Sequence, residues 1–336
     1  MLEFARRPTE DLKDIFTQTG AQRGIVAHIV EKDFWVCWLL RLIFDNAELG
    51  GHLVFKGGTS LSKVFGIIQR FSEDIDLSVD PEWLGFRGAA RPDPAGSRSK
   101  FNKQIKKLED TCITVVRDKF LPRMNHDIAV NLPGHAGTTF EVDESTHSPV
   151  LLFAYPHVGQ TGILRPQVKL EFGSLYDQRP TGAHTITPLT AEAFPDIFSE
   201  PSCQVMTLEA ERTFWEKATL LHVEYHRPTD KPFPRGQSRH YSDLAAMSQH
   251  SVRQRALADL DLLTQVREFK QTYFRSAWAH YKTAFPGELH LVPSAERHAD
   301  VERDYSAMAD MFMTTPPSFK TIMTQLEDLE KQINAA

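Results

Sequence analysis

One stretch of 24 residues, 56–79, constrains this chain more than any other. The apolar run His52-Leu53-Val54-Phe55 reads as a strand and stops at Lys56-Gly57-Gly58. Thr59 and Ser60 follow, and residues 60–65 open a short helix. Asp74-Ile75-Asp76-Leu77-Ser78-Val79 then alternates with period two, which is the mark of a strand. Side chains two apart on a strand leave the same face, with Cα atoms roughly 6.5–7 Å apart. Asp74 and Asp76 are therefore expected to point together, while Ile75, Leu77 and Val79 enter a core.

Two carboxylates in that arrangement suit a pair of Mg2+ ions, which sit about 3.5–4 Å apart in two-metal phosphoryl chemistry. Magnesium takes few carboxylates and completes its shell with waters and phosphate oxygens. The double glycine serves a different end. Without Cβ atoms, the backbone amides of Gly57, Gly58 and Thr59 can approach a triphosphate closely. Ser60 lies near a helix start, where free N–H groups favour an anion. Singly, an Asp-x-Asp strand is as readily a solvated edge and Gly-Gly only a turn. In this order and within this span, the combination is specific. The G-x-x-x-x-G-K-[ST] spacing of a Walker A loop is absent.

The surrounding chain predicts a helical stretch over 21–49, from Ile25, Ile29, Val36, Leu39, Leu40 and Ile43 at three- and four-residue steps. Residues 85–99, rich in Gly, Pro, Ala and Arg, read as a loop. Phe101, Ile105, Leu108, Cys112 and Val115 mark an amphipathic helix whose other face carries Lys100, Lys103, Lys106 and Lys107. Strands are expected at 151–153 and 167–172, with a weaker one at 185–187. Helices are expected at 208–226, 241–249, 253–285 (broken into two), 297–312 and 319–333. The simplest organisation is α+β, with an α/β domain over 1–190 and a helical domain over 191–336.

Net charge of −6 argues against a general nucleic-acid coat protein, though not against a local basic groove. The longest apolar run, 34–44, is interrupted by Arg41 and falls short of the roughly 20 residues a membrane span needs. No signal peptide is expected at the N-terminus. Three widely spaced cysteines, Cys37, Cys112 and Cys203, fit a reducing cytoplasm.

The string FKGGTSLSKVFGIIQRFSEDIDL resembles the signature of the AbiEii/AbiGii nucleotidyltransferase toxin family, within the DNA polymerase β-like superfamily. EKDFWVCWLL, VKLEFG, ERTFWEKATLLH and RHYSDLA are similar to other family segments. The resemblance implies a nucleotidyltransferase-like mixed sheet with flanking helices, followed by a mostly helical C-terminal half. It implies transfer of a nucleotide from an NTP to an RNA acceptor, tRNA being the acceptor class of some members. It also implies a toxin acting beside a cognate antitoxin.

On that template Asp74 and Asp76 hold Mg2+ or Mn2+, and Gly57, Gly58, Thr59 and Ser60 hold triphosphate. Lys56 and Lys63 are phosphate ligands or solvated charges. Lys169 and Glu171 alternate on a strand. Lys169 is expected to neutralise the γ-phosphate or departing pyrophosphate, and Glu171 to complete the metal shell, unless the two form only a surface ion pair. In ERTFWEKATLLH, Arg212 and Glu216 are spaced to support the helix, and the resemblance makes Glu216 and Lys217 site candidates from the helical half. Gly-Gly-Thr-Ser stands where the superfamily often has Gly-Ser.

The Pro-rich segment bearing Arg227, Lys231, Arg235 and Arg239 is read as an RNA or triphosphate contact, and the Lys100–Lys107 face as solvated. His222 and His226 have helical metal spacing but no third ligand in sequence. The competing reading from another class is a module that binds NTP or RNA without turnover. Protein phosphorylation is disfavoured, since no His-Arg-Asp or Asp-Phe-Gly motif is present.

Overall fold

The computed structural model describes residues 1–336 except 73, 160–164 and 176 and the side chain of 310. It divides into two compact units, Met1–Val64 with Ser72–Leu208, and Phe65–Phe71 with Glu209–Ala336.

The first unit is built on one mixed sheet. Its strands are β1 (Leu53–Lys56), β2 (Asp74–Val79), β3 (Thr138–Asp143), β4 (Ser148–Ala154), β5 (Gln167–Gly173), β6 (Thr181–Ile186) and β7 (Cys203–Leu208). They lie in the order β3-β4-β5-β2-β1-β7-β6. The β1–β7 and β2–β5 pairings are parallel and the others antiparallel. Strand alternation sorts the faces: Ile75, Leu77, Val79, Leu151, Phe153, Val168, Leu170 and Phe172 are all buried in the core.

Among the described residues of this unit the α-helices are α1 (Thr9–Arg23), α2 (Ala27–Phe44), α3 (Ala47–Gly50), α4 (Gly57–Lys63), α5 (Arg98–Val115), α6 (Leu121–Asn131) and α7 (Leu189–Ala193). α2 is apolar on nearly every side and is correspondingly enclosed. Its Trp35 and Trp38 rings meet Phe153 at 5.9 and 5.6 Å. α5 runs through one π turn, Val116–Phe120, into α6, and Phe120 packs 5.4 Å from Phe172.

The stretch expected as one helix over 21–49 is interrupted. Gly24, at φ 66°, ends α1 with its N–H on the Gly20 carbonyl, a left-handed stop that glycine adopts without strain. α3 restarts on Asn46, whose side chain accepts from the Glu48 amide. β7 covers residues 203–207, where no element is expected from the sequence, and the first residue of the helix expected over 208–226. Its buried Cys203, Val205 and Thr207 alternate with exposed Gln204 and Met206, so the period-two signal was present.

The second unit is helical: α8 (Ala210–Tyr225), α9 (Ser238–Ser248), α10 (Val252–Leu257), α11 (Leu260–Tyr273), α12 (His298–Ser306) and α13 (Phe319–Asn334). α8 packs on α9, α10 and α11, and α13 on α9. The helix expected over 253–285 breaks at Asp259, which caps α11 through the Leu262 amide, and ends at Tyr273. Residues 65–71 join this unit by backbone pairing: the Phe71 N–H donates to Met311 and the Met313 N–H to Gln69. No described helix is long and apolar enough to cross a membrane.

Candidate active site

The polar face of the sheet collects side chains from three adjacent strands. In the parallel β2–β5 pairing Asp74 lies beside Lys169 and Asp76 beside Glu171. In the β1–β2 pairing Lys56 lies beside Asp76. Register partners project to the same side, and the residues between them, Ile75 and Leu170, are buried on the other. Lys56, Asp74, Asp76, Lys169 and Glu171 thus form one half-buried polar cluster.

Gly57 fixes the position of Asp76. The glycine sits at φ 82°, and a Cβ built on it would lie 2.0 Å from Asp76 Oδ2 and 2.7 Å from its Cγ. The carboxylate therefore rests on the bare Cα of the residue that begins α4. The first-turn amides of a helix have no intrahelical carbonyl behind them, and Gly57, Gly58 and Thr59 form that turn here. The hydroxyls are used internally. Thr59 Oγ1 donates to the Asp74 carbonyl at 2.5 Å and Ser60 Oγ to the Gly57 carbonyl at 2.9 Å, both side chains being buried. What these two residues present to a ligand is main chain.

Lys169 is held by two carboxylates. Its Nζ pairs with Glu171 Oε1 and lies 3.6 Å from Asp143 Oδ2. Burial works to lower its pKa, but the hydrogen bond and charge of Glu171, then Asp74 and Asp143, outweigh this and hold it above the ordinary value. Asp143 is itself fixed by the turn it begins, accepting from Ser145 Oγ at 2.6 Å and from the amides of Ser145 and Thr146 at 2.9 and 3.1 Å. The Ser145 hydroxyl and these amides draw its pKa down to about 2. Sequence reasoning did not single out Asp143, although Asp-Glu-Ser-Thr is the composition of an Asx turn.

Lys63 has a different place. Its Nζ lies 2.6 Å from Asp33 Oδ1, with both side chains almost enclosed, and Asp33 also accepts from the Leu189 amide at 2.7 Å. Burial is the largest single influence and lowers the Lys63 pKa, but the charge and hydrogen bond of Asp33, with Cys37 and Glu192, together raise it above the ordinary value, so the ammonium stays charged. It ties α4 to α2.

Glu216 and Lys217 belong to the second unit. Lys217 Nζ donates to Asp243 Oδ2 at 2.7 Å, and Arg70 grips the same carboxylate with Nε and Nη2 at 2.6 and 2.7 Å. His240 Nδ1 lies 3.2 Å from Lys217 Nζ. Burial, then the Lys217 charge, pushes the His240 pKa well down, leaving a neutral ring that can accept. Asp243 lies inside RHYSDLA, yet nothing in the string alone distinguished it. Glu216 accepts from Arg212 Nε at 3.2 Å, and its carbonyl accepts from Lys270 Nζ at 2.5 Å.

In the Pro-rich segment, Arg227 is bound bidentately by Glu224 at 2.7 and 2.8 Å, and Lys231 lies over the Trp278 ring at 4.4 Å. His222 and His226 pack ring to ring at 4.7 Å, and the His280 ring lies 4.2 Å from that of His226. Among the described residues no three His, Cys, Asp or Glu side chains form a metal cage. The sheet instead offers the carboxylates of Asp74 and Asp76, the latter against Gly57. That set fits a magnesium-like ion, whose remaining ligands are water and substrate oxygens.

The profile of the family described as "Nucleotidyl transferase AbiEii toxin, Type IV TA system" matches residues 38–327. Among solved structures the chain is similar to MenT4, a nucleotidyltransferase toxin from Mycobacterium tuberculosis. The match has a TM-score of 0.50 and 15% identity, and it covers 96% of this chain and 90% of that one. At that identity the likeness shows the fold. No curated protein matches the chain. With the family profile running from α2 to α13, the chain belongs to the AbiEii nucleotidyltransferase toxin family and is a nucleotidyltransferase.

Proposed function

We propose that this enzyme transfers a nucleoside monophosphate from an NTP to a hydroxyl of an RNA acceptor, a tRNA, and acts as the toxin of a pair with a cognate antitoxin. The observation that carries the reading is the Asp76 carboxylate seated on Gly57, beside Asp74 and the first-turn amides of α4. In the reaction the acceptor oxygen bonds to the α-phosphorus, the bond from that phosphorus to the β-bridging oxygen breaks, and pyrophosphate leaves with the electron pair. The hydroxyl proton is released to solvent.

Asp74 and Asp76 would hold Mg2+ or Mn2+, which when bound neutralises triphosphate charge and polarises the reacting phosphoryl group. The amides of Gly57, Gly58 and Thr59 bind phosphate oxygens. Lys169, across the strand boundary from Asp74, meets the charge that grows on the departing pyrophosphate. Asp143 and Glu171 orient its ammonium. Lys56, in register with Asp76, adds a second cation on the same face.

The test is incubation with each of the four α-labelled NTPs, Mg2+ and total RNA, followed by electrophoresis. Label in a tRNA-sized band from one NTP supports the proposal. NTP binding with no label transferred under any metal would favour the non-catalytic binding module.

A further inference from the structure

The exposed lysines of α5 stand apart from the other cations around them. Arg91 pairs with Glu82 at 2.8 Å, Arg117 with Asp118 at 2.7 Å and Arg123 with Asp127 at 3.1 Å. Lys100, Lys103, Lys106 and Lys107 are all exposed, and among the described residues none of them makes an ion pair. In a chain of net charge −6, four unneutralised cations within two helical turns form a local positive field. Lys100, Lys103 and Lys107 follow the i, i+3, i+7 spacing of a single helix stripe, with Lys106 beside it. Two shallow, open depressions on this face share Lys103 and Lys106. Ser99, Asn102 and Thr111 add neutral hydrogen-bonding groups, Arg98 a further cation, and Asp110 a single carboxylate at the C-terminal end.

The stripe is tied to the reacting face by one turn. His147 Nε2 lies 3.1 Å from Asp110 Oδ1, at the C-terminal side of the lysines on α5. Asp143, at the start of that same β3–β4 turn, contacts Lys169.

We propose that the lysine face of α5 is a docking surface for the sugar–phosphate backbone of the RNA acceptor, away from its reacting end. This rests on the RNA-acceptor reading above. Regularly spaced phosphates match unpaired lysines with polar groups between them, and such contacts position a nucleic acid without reading its sequence. The balance differs from the one expected of the sequence. The Pro-rich segment already has Arg227 and Lys231 engaged within the protein, whereas among the described residues the α5 lysines make no ion pair.

The test compares wild type with the variant Lys100→Ala, Lys103→Ala, Lys106→Ala, Lys107→Ala. These are solvated helix positions where alanine is well tolerated, so the melting temperature should be unchanged. Binding to purified tRNA is measured from 50 to 300 mM salt. Label transfer is measured with full-length tRNA and with a short acceptor-end oligonucleotide. The expected result is a salt slope lower by about 3 and tRNA affinity weaker by about tenfold or more at 0.1 M salt. KM for tRNA should rise with kcat held, and turnover on the short oligonucleotide should not change. An unchanged slope in a variant whose parent binds tRNA would overturn the docking surface and leave the RNA reading intact. A wild type that neither binds nor labels RNA at any salt would remove both.

Discussion

Gly57 and Asp76 occupy one another's space: the carboxylate fills the volume that any side chain at position 57 would need. Gly57→Ala therefore incurs two costs, a left-handed backbone of about 1–3 kcal/mol and eviction of Asp76. We expect nucleotide transfer to fall by about two orders of magnitude or more, with a few degrees lost in Tm. Steady-state kinetics and calorimetry on the variant decide it, and a fully active alanine enzyme would show that Asp76 need not sit there.

Asp74→Asn and Asp76→Asn preserve shape and remove charge. Ile75, Leu77 and Val79 carry the buried side of β2, so both variants should fold normally. Each should lose nearly all label transfer and all growth inhibition. The double variant should be little worse than either single one, since the pair acts as a unit. EDTA should silence the wild type, and Mg2+ or Mn2+ should restore it. Near-normal transfer by either variant would displace the metal site from β2.

On the proposed reading Asp143 positions Lys169, whose Nζ lies 3.6 Å from its Oδ2. Lys169→Ala should lower kcat by about 10² with little change in Tm. Asp143→Asn should produce a smaller loss and shift the alkaline limb of the pH–rate profile downward, because one of the charges sustaining the ammonium is gone. A purely structural Asp143 would instead change stability and leave the pH profile where it was.

Lys63 and Asp33 separate a structural cation from a phosphate ligand. Lys63→Met leaves Asp33 buried and unpaired and should destabilise by about 3–5 kcal/mol. Adding Asp33→Leu should recover much of that loss. If the double variant is stable yet binds NTP markedly less well, Lys63 has a ligand role beyond this pair.

Acid should weaken the second unit through His222. Its Nε2 lies 3.2 Å from the His280 carbonyl and its Nδ1 accepts from the His290 amide at 3.1 Å, which describes a neutral ring. Burial, followed by the charge of His226, lowers its pKa to about 4. The unfolded chain takes up this proton near pH 6.5 while the folded one resists until near 4, so stability falls as pH drops through that window and levels below it. The contribution is on the order of 2–3 kcal/mol. Melting curves from pH 7.5 to 4 should show a shallower decline for His222→Gln than for wild type. Parallel curves would place the acid sensitivity elsewhere.

Much of the central unit was legible because its signals are local. Asp74, Ile75, Asp76 and Leu77 announce a strand by alternation, and Gly57-Gly58 announces a turn by what glycine alone can do. Placing Lys169 beside Asp74 required a pairing across 95 positions, and nothing within either strand encodes its neighbour. The same holds for Lys63 with Asp33 and Lys217 with Asp243, where a cation reads alike whether it faces solvent or a buried carboxylate. α1 is quiet because its buried side, Leu12, Ile15, Phe16, Thr19 and Gly20, falls at helical steps but ends in two residues with little apolar signal. β7 carries an alternation as long as that of β2, and it was passed over beside the stronger signal of the helix that follows it.

The placement of residues 65–71 has a consequence for synthesis. Arg70 immediately precedes the stretch leading into Asp74, yet its carboxylate partner lies 173 residues further along the chain. A ribosome that has released β1, β2 and β5 has therefore assembled the acidic face while the segment feeding it still lacks Asp243 and Met311. No fragment ending at Leu208 can supply them. A product terminated before Asp243 and Met311 is left with that connection open.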